Sequence, residues 1–172
     1  MGRFQKNFIF KKLFLILPIF FLYMSVLSEF DANYLNIDYL SFNFAYILIF
    51  YWSLKKIDYF GYLSIFFAGI INDVVSGLPI GLSSFSYMLI CVAARYLRSI
   101  TLRPNIINDW IFFLIIISLV NSIYYSIISF IFKTEIDYIF LIVNNFSTFL
   151  LYFFCRFIFD LYYEYLIGRP NV

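Results

Sequence analysis

The run Ala68-Gly69-Ile70-Ile71-Asn72-Asp73-Val74-Val75-Ser76-Gly77-Leu78-Pro79-Ile80-Gly81-Leu82 sets a carboxylate, an amide, three glycines and a proline into an otherwise apolar chain. On membrane-insertion scales a carboxylate inside such a run costs about 2.5–3.5 kcal/mol, so it must accept hydrogen bonds, answer a cation or carry a proton. Hydroxyls follow it closely in Ser83, Ser84, Ser86 and Tyr87, and a cation, Arg95, lies further along. Three roles are open to Asp73: cap and packing lock of a helix hairpin, direct contact with a partner or ligand, or ion transfer.

Little else can assemble a catalytic set. The chain has no histidine, which removes the commonest general base and the commonest metal ligand. Serines therefore lack their usual activating base, and no serine–lysine pair shares a helix face. Cys91 and Cys155 sit in apolar segments without CxxC spacing, so they read as packing residues rather than a disulfide framework or zinc site. No P-loop, dinucleotide fingerprint or HExxH is present. A paired-carboxylate centre needs two acids in one cavity, and Asp73 is the one acid that falls clearly inside an apolar run. The net charge is +2 without a basic block, which excludes a nucleic-acid footprint. No enzyme, cofactor or metal is expected.

The elements that would position Asp73 follow from hydropathy. The chain is 64% hydrophobic and 13% charged, far from the near-even apolar share and quarter charged of soluble domains. Aromatic residues make up 25%, a share that AT-rich codon usage explains without stacking platforms. Apolar runs predict helices over about 13–28, 39–54, 59–75, 82–97, 110–132 and 138–159. The fold class expected is an all-α integral membrane protein, one polytopic domain over residues 1–172, a compact bundle of about six transmembrane helices. No small-x-small cleavage site follows the first run, so it reads as a retained helix, kinked near Pro18. Glu29, Asp31 and Asp38 form an acidic external loop. Arg3, Lys6, Lys11, Lys12, Lys55, Lys56, Arg95, Arg98, Arg103, Arg156 and Arg169 fall at one set of helix ends and only Lys133 at the other. That asymmetry places both termini in the cytoplasm.

Gly69 and Asp73, like Ala68 and Asn72, are four apart and share a face, which lets a neighbouring backbone approach. Folding the hairpin about Pro79, with Gly77 and Gly81 relieving the backbone, puts Asp73 opposite Phe85. The serine hydroxyls, Tyr87 or the free N–H groups opening the fourth helix are then its partners. Arg95 lies at the far end of that helix, too distant for an ion pair. Ser118, Ser122, Tyr125 and Ser129 mark a seam on the fifth helix; Asn145, Thr148, Tyr152 and Cys155 or Arg156 mark one on the sixth.

The hairpin resembles the bacterial rod shape-determining MreD family. That family carries a G-x-x-x-D-x-x-S-G-x-x-x-G pattern, here Gly69, Asp73, Ser76, Gly77 and Gly81, with Pro79 inside it and Tyr87 and Arg95 following. Asn72 departs from the apolar residue usual there. The motif covers about thirty residues; elsewhere the likeness is one of length and hydropathy. The resemblance implies a non-enzymatic inner-membrane adaptor of the cell-elongation complex, supporting cell shape and peptidoglycan synthesis. Its implied partners are MreC directly, and MreB filaments, RodA and a penicillin-binding transpeptidase indirectly. It also implies an architecture similar to the substrate-binding subunits of energy-coupling-factor transporters, so a membrane subunit binding a vitamin-type solute is the alternative.

Overall fold

The computed structural model describes residues 16–27, 42–55, 61–101, 105–133 and 137–167. Among these the chain is helical throughout, without a strand. The helices are α1 (Ile16–Leu27), α2 (Phe44–Leu54), α3 (Tyr62–Ser76), α4 (Leu82–Ile100), α5 (Ile106–Phe132) and α6 (Tyr138–Ile167). Two of them, α5 and α6 over Tyr138–Glu164, are long and apolar enough to cross a membrane.

α2 is the innermost element. Every residue from Ala45 to Leu54 is buried, although the helix has only 11 residues. It packs on α4 and α6, while α4 in turn holds α3 on one side and α5 on the other. Phe50 of α2, Phe113 of α5 and Tyr152 of α6 form a three-ring core, with centroids 4.9, 5.6 and 4.4 Å apart. Each such ring pair adds about 0.5–1.5 kcal/mol beyond area burial. α1 reaches α3 through the Tyr23 hydroxyl, which donates to the Ser64 carbonyl at 3.2 Å. Outward faces stay apolar, as at Ile111, Ile115, Leu119 and Ile123 of α5 and Phe146, Leu150, Phe153 and Phe157 of α6.

The largest boundary differences from the sequence reading are at α5, α6 and α2, while α4 runs three residues further, to Ile100, and α3 starts at Tyr62. α5 starts at Ile106 rather than Trp110 because the Asn105 side chain caps it, accepting from the Ile107 N–H at 3.1 Å. Asp109 thereby moves from a loop into the first helical turn, where the dipole favours an acid. α6 is capped by Asp137, whose Oδ1 accepts from Ile139 N and Phe140 N at 3.0 and 3.2 Å. The helix then continues past Phe159 through Asp160 and Glu164 to Ile167. α2 begins only at Phe44, where the Asn43 N–H turns to Thr148 Oγ1 at 3.0 Å.

The α6 seam is buried as expected, at Asn145, Thr148, Tyr152, Cys155 and Arg156. On α5 the buried face runs instead through Asp109, Phe113, Ile116, Ile117, Val120 and Asn121, leaving Ser122 exposed. Asn121 Nδ2 donates to Asn145 Oδ1, joining the two helices. Cys91 and Cys155 are free and buried, and Ser53 Oγ donates to Cys91 Sγ at 3.3 Å. Pro18 is buried in the described part of α1. Several expectations fall outside the described residues: the helix ends at 13–15, 28, 39–41 and 59–60, the acidic loop with Glu29, Asp31 and Asp38, and the cations Arg3, Lys6, Lys11, Lys12, Lys56, Arg103 and Arg169.

Candidate functional site: the α3–α4 hairpin

Asp73 ends one helix with its backbone and starts the next with its side chain. Gly77 follows α3 in the left-handed region (φ 65, ψ 27), and Leu78 N donates to the Asp73 carbonyl at 2.9 Å. This is the closing pattern that satisfies the last carbonyls of a helix, and it needs a residue that accepts positive φ. The chain then turns through Pro79, whose carbonyl accepts from Leu82 N at 3.2 Å, with Gly81 at φ 103 and ψ −13. Positive φ at the third position of such a turn again calls for glycine.

Gly81 is also the N-cap of α4, and it has no side chain with which to cap. Asp73 supplies the missing acceptor from across the turn. Its Oδ2 accepts from Gly81 N at 2.7 Å and its Oδ1 from Ser83 N at 2.9 Å. Both oxygens are thus engaged by N–H groups at a positive helix terminus, where an anion is favoured. Asp73 is 0% exposed, and these charge-assisted bonds are what make its burial tolerable.

The pairing of the two helices departs from the expected one. The reversal centres on Gly77 rather than Pro79, so Asp73 faces Gly81, whereas Phe85 points outward. Gly69 meets Ser84: a Cβ on Gly69 would press on Ser84 Cα and lie 2.5 Å from its N and 2.7 Å from its Oγ. Ser84 Oγ donates to the Phe66 carbonyl at 2.9 Å, and Asn72 Nδ2 donates to Ser83 Oγ at 2.9 Å. Ser86 Oγ returns to Leu82 O at 3.1 Å. The Ser83 and Ser84 hydroxyls therefore tie the helices together, while backbone N–H groups hold the carboxylate.

Of the motif residues, Gly69, Asp73, Gly77, Pro79 and Gly81 form this one device. Ser76 closes α3 on the exposed side. Tyr87 is buried toward α2, its ring edge-on to Tyr46 at 5.8 Å. Arg95 lies at the other end of the hairpin, its guanidinium 4.1 Å above the Tyr62 ring, as its distance along α4 requires.

A charged cluster at that far end went unrecognised in the sequence. Arg156 of α6 stands between Asp109 and Asp160, with Nη1 3.0 Å from Asp109 Oδ2 and Nε 3.6 Å from Asp160 Oδ2. Asp160 Oδ1 also accepts from Lys55 Nζ and from the Tyr51 hydroxyl, both at 2.7 Å. Asp109 is buried, so Asp73 is not the only enclosed acid. The Asn105 cap, read from sequence, would have placed Asp109 on a helix. Compared with known proteins, the chain matches no family model, no curated protein and no solved structure.

Proposed function

We propose that the chain is a non-enzymatic, multi-pass inner-membrane adaptor of the MreD type, with six membrane helices and cytoplasmic termini. It binds MreC and, through it, serves the MreB–RodA–transpeptidase machinery of cell elongation and peptidoglycan synthesis. The observation that carries this reading is the economy of the hairpin. Gly69, Asp73, Gly77 and Gly81, the residues behind the resemblance, each meet a demand that no other residue type meets as well there. Asp73 has both oxygens committed to backbone donors and 0% exposure, which suits a shape-holding role and leaves it no room to bind or react. The outward faces of α5 and α6 are mostly apolar, which suits lipid contact.

Buried Gly69 and Asp73 cannot themselves touch a partner, so contact falls to the exposed side chains around them. Val74 and Ile80 are 63% and 75% exposed on the hairpin tip. The test is detergent pull-down of MreC from native membranes with wild type, Val74→Lys and Ile80→Lys. Loss of MreC from the lysine variants, with unfolding temperatures unchanged, is the expected result. Absence of MreC from the wild-type eluate overturns the adaptor reading. Stabilisation of the purified chain by a vitamin-type solute would move it to the transporter class.

A further inference from the structure

The end of α4 away from Asp73 borders a hollow that shares Arg156 with a second one on α6. A recess of about 80 Å³ is lined by Tyr51, Lys55, Leu97, Arg98, Asp109 and Arg156, among others. A groove of about 520 Å³ is lined by Ile106, Phe153, Phe154, Phe157 and Ile158, together with Arg156 and Asp160. Arg156 is only 9% exposed, yet its Nε and Nη1 close no hydrogen bond. Its two carboxylate neighbours hold it by charge, Asp109 Oδ2 at 3.0 Å from Nη1 and Asp160 Oδ2 at 3.6 Å from Nε. Arg98 lines the same recess and forms no ion pair among the described residues. With Lys55, three cations face two carboxylates, so the recess carries a net positive charge.

We propose that this is a binding site for an anionic phospholipid. The phosphate sits against Arg156 and Arg98, and an acyl chain lies in the groove over Phe153, Phe154, Phe157 and Ile158. The guanidinium fork matches phosphate oxygens, and an apolar trough continuous with it through Arg156 suits a hydrocarbon tail. A free anion would leave that trough uncovered, and a neutral lipid would leave the excess positive charge of the recess, Arg98, unanswered. The proposal rests on the membrane placement proposed above and is independent of the MreC partner.

The test uses the full chain purified in a neutral detergent and titrated with phosphatidylglycerol, with phosphatidylcholine of the same chains, and with inorganic phosphate. Bound lipid is read by native mass spectrometry and unfolding temperature by fluorescence. Phosphatidylglycerol should bind at least fivefold more tightly than phosphatidylcholine and raise the unfolding temperature to a plateau. Arg98→Gln should lower that affinity about fivefold, and Phe157→Ala should weaken both lipids. Equal retention of the two lipids overturns the site, as does full stabilisation by phosphate alone. So does wild-type phosphatidylglycerol binding by both variants. Lost MreC capture with lipid selectivity intact would instead refute only the adaptor reading.

Discussion

Replacing Gly69 by alanine should separate α3 from α4, because the added methyl would meet backbone. The new Cβ would lie against Ser84 Cα and 2.5 Å from Ser84 N, where carbon contacts normally sit at about 3.5–4.0 Å. Ser84 Oγ could rotate away; its Cα and N cannot. The helices must therefore part by about 1 Å. Overpacking of this kind costs about 1–3 kcal/mol, and contact with a rigid backbone puts it at the upper end. Separation also stretches the 2.9 Å bonds from Ser84 to Phe66 and from Asn72 to Ser83, a further loss of about 1 kcal/mol. Alanine in a helix interior returns about 1 kcal/mol of propensity. The net loss is about 3 kcal/mol, or an unfolding temperature about 6–12 °C lower for a chain of this size. Thermal unfolding of the purified variant in detergent measures it. Adding Ser84→Gly should restore less than half of the loss, since the offending Cα and N remain. A Gly69→Ala protein as stable as wild type would refute the close approach, because propensity alone would then decide the outcome.

Asp73→Asn leaves an amide N–H₂ facing one of the two N–H donors at Gly81 and Ser83, and should cost about 2 kcal/mol in the same assay. Gly77→Ala should cost about 1–2 kcal/mol through its left-handed backbone, and Gly77→Asn visibly less, since space is open there and asparagine tolerates that region. Equal effects of the two would locate the cost elsewhere. Arg156→Met strands buried Asp109 and should cost about 3–5 kcal/mol, most of it recovered by adding Asp109→Leu. A double variant no better than the single would show that the pair does not act as a unit.

How far the hairpin could be read from sequence depended on which residue ended α3. The acid among apolar neighbours and the glycine four residues before it pointed to a tight helix pair, and the open list of Asp73 partners included the backbone N–H groups that hold it. Pro79 is conspicuous, yet a glycine that accepts left-handed geometry is the more decisive helix stop, and choosing the proline displaced the pairing toward Phe85. Seams were legible where the polar group cannot satisfy itself. Asn145 and Arg156 need partners beyond their own turn, so α6 was oriented correctly. Serines on α5 can bond their own helix, as Ser126 Oγ does to Ser122 O at 2.7 Å, so their spacing says little about facing. Asn121 was the better guide. The Arg156 cluster escaped because its members come from residues 51, 55, 109, 156 and 160, a juxtaposition that only packing creates.

The two sets of enclosed charges differ in when synthesis can satisfy them. Asp73 finds both donors within ten residues, at Gly81 and Ser83, so its burial is compensated as soon as the start of α4 has emerged. The carboxylate of Asp73 is therefore satisfied while the remainder of the chain is still on the ribosome. Asp109 waits for Arg156, and Tyr51 and Lys55 wait for Asp160, 109 and 105 residues downstream. Contacts of such separation form late and pay their loop closure last. Until α6 arrives, Asp109 lacks the Arg156 guanidinium that stands 3.0 Å from it in the fold.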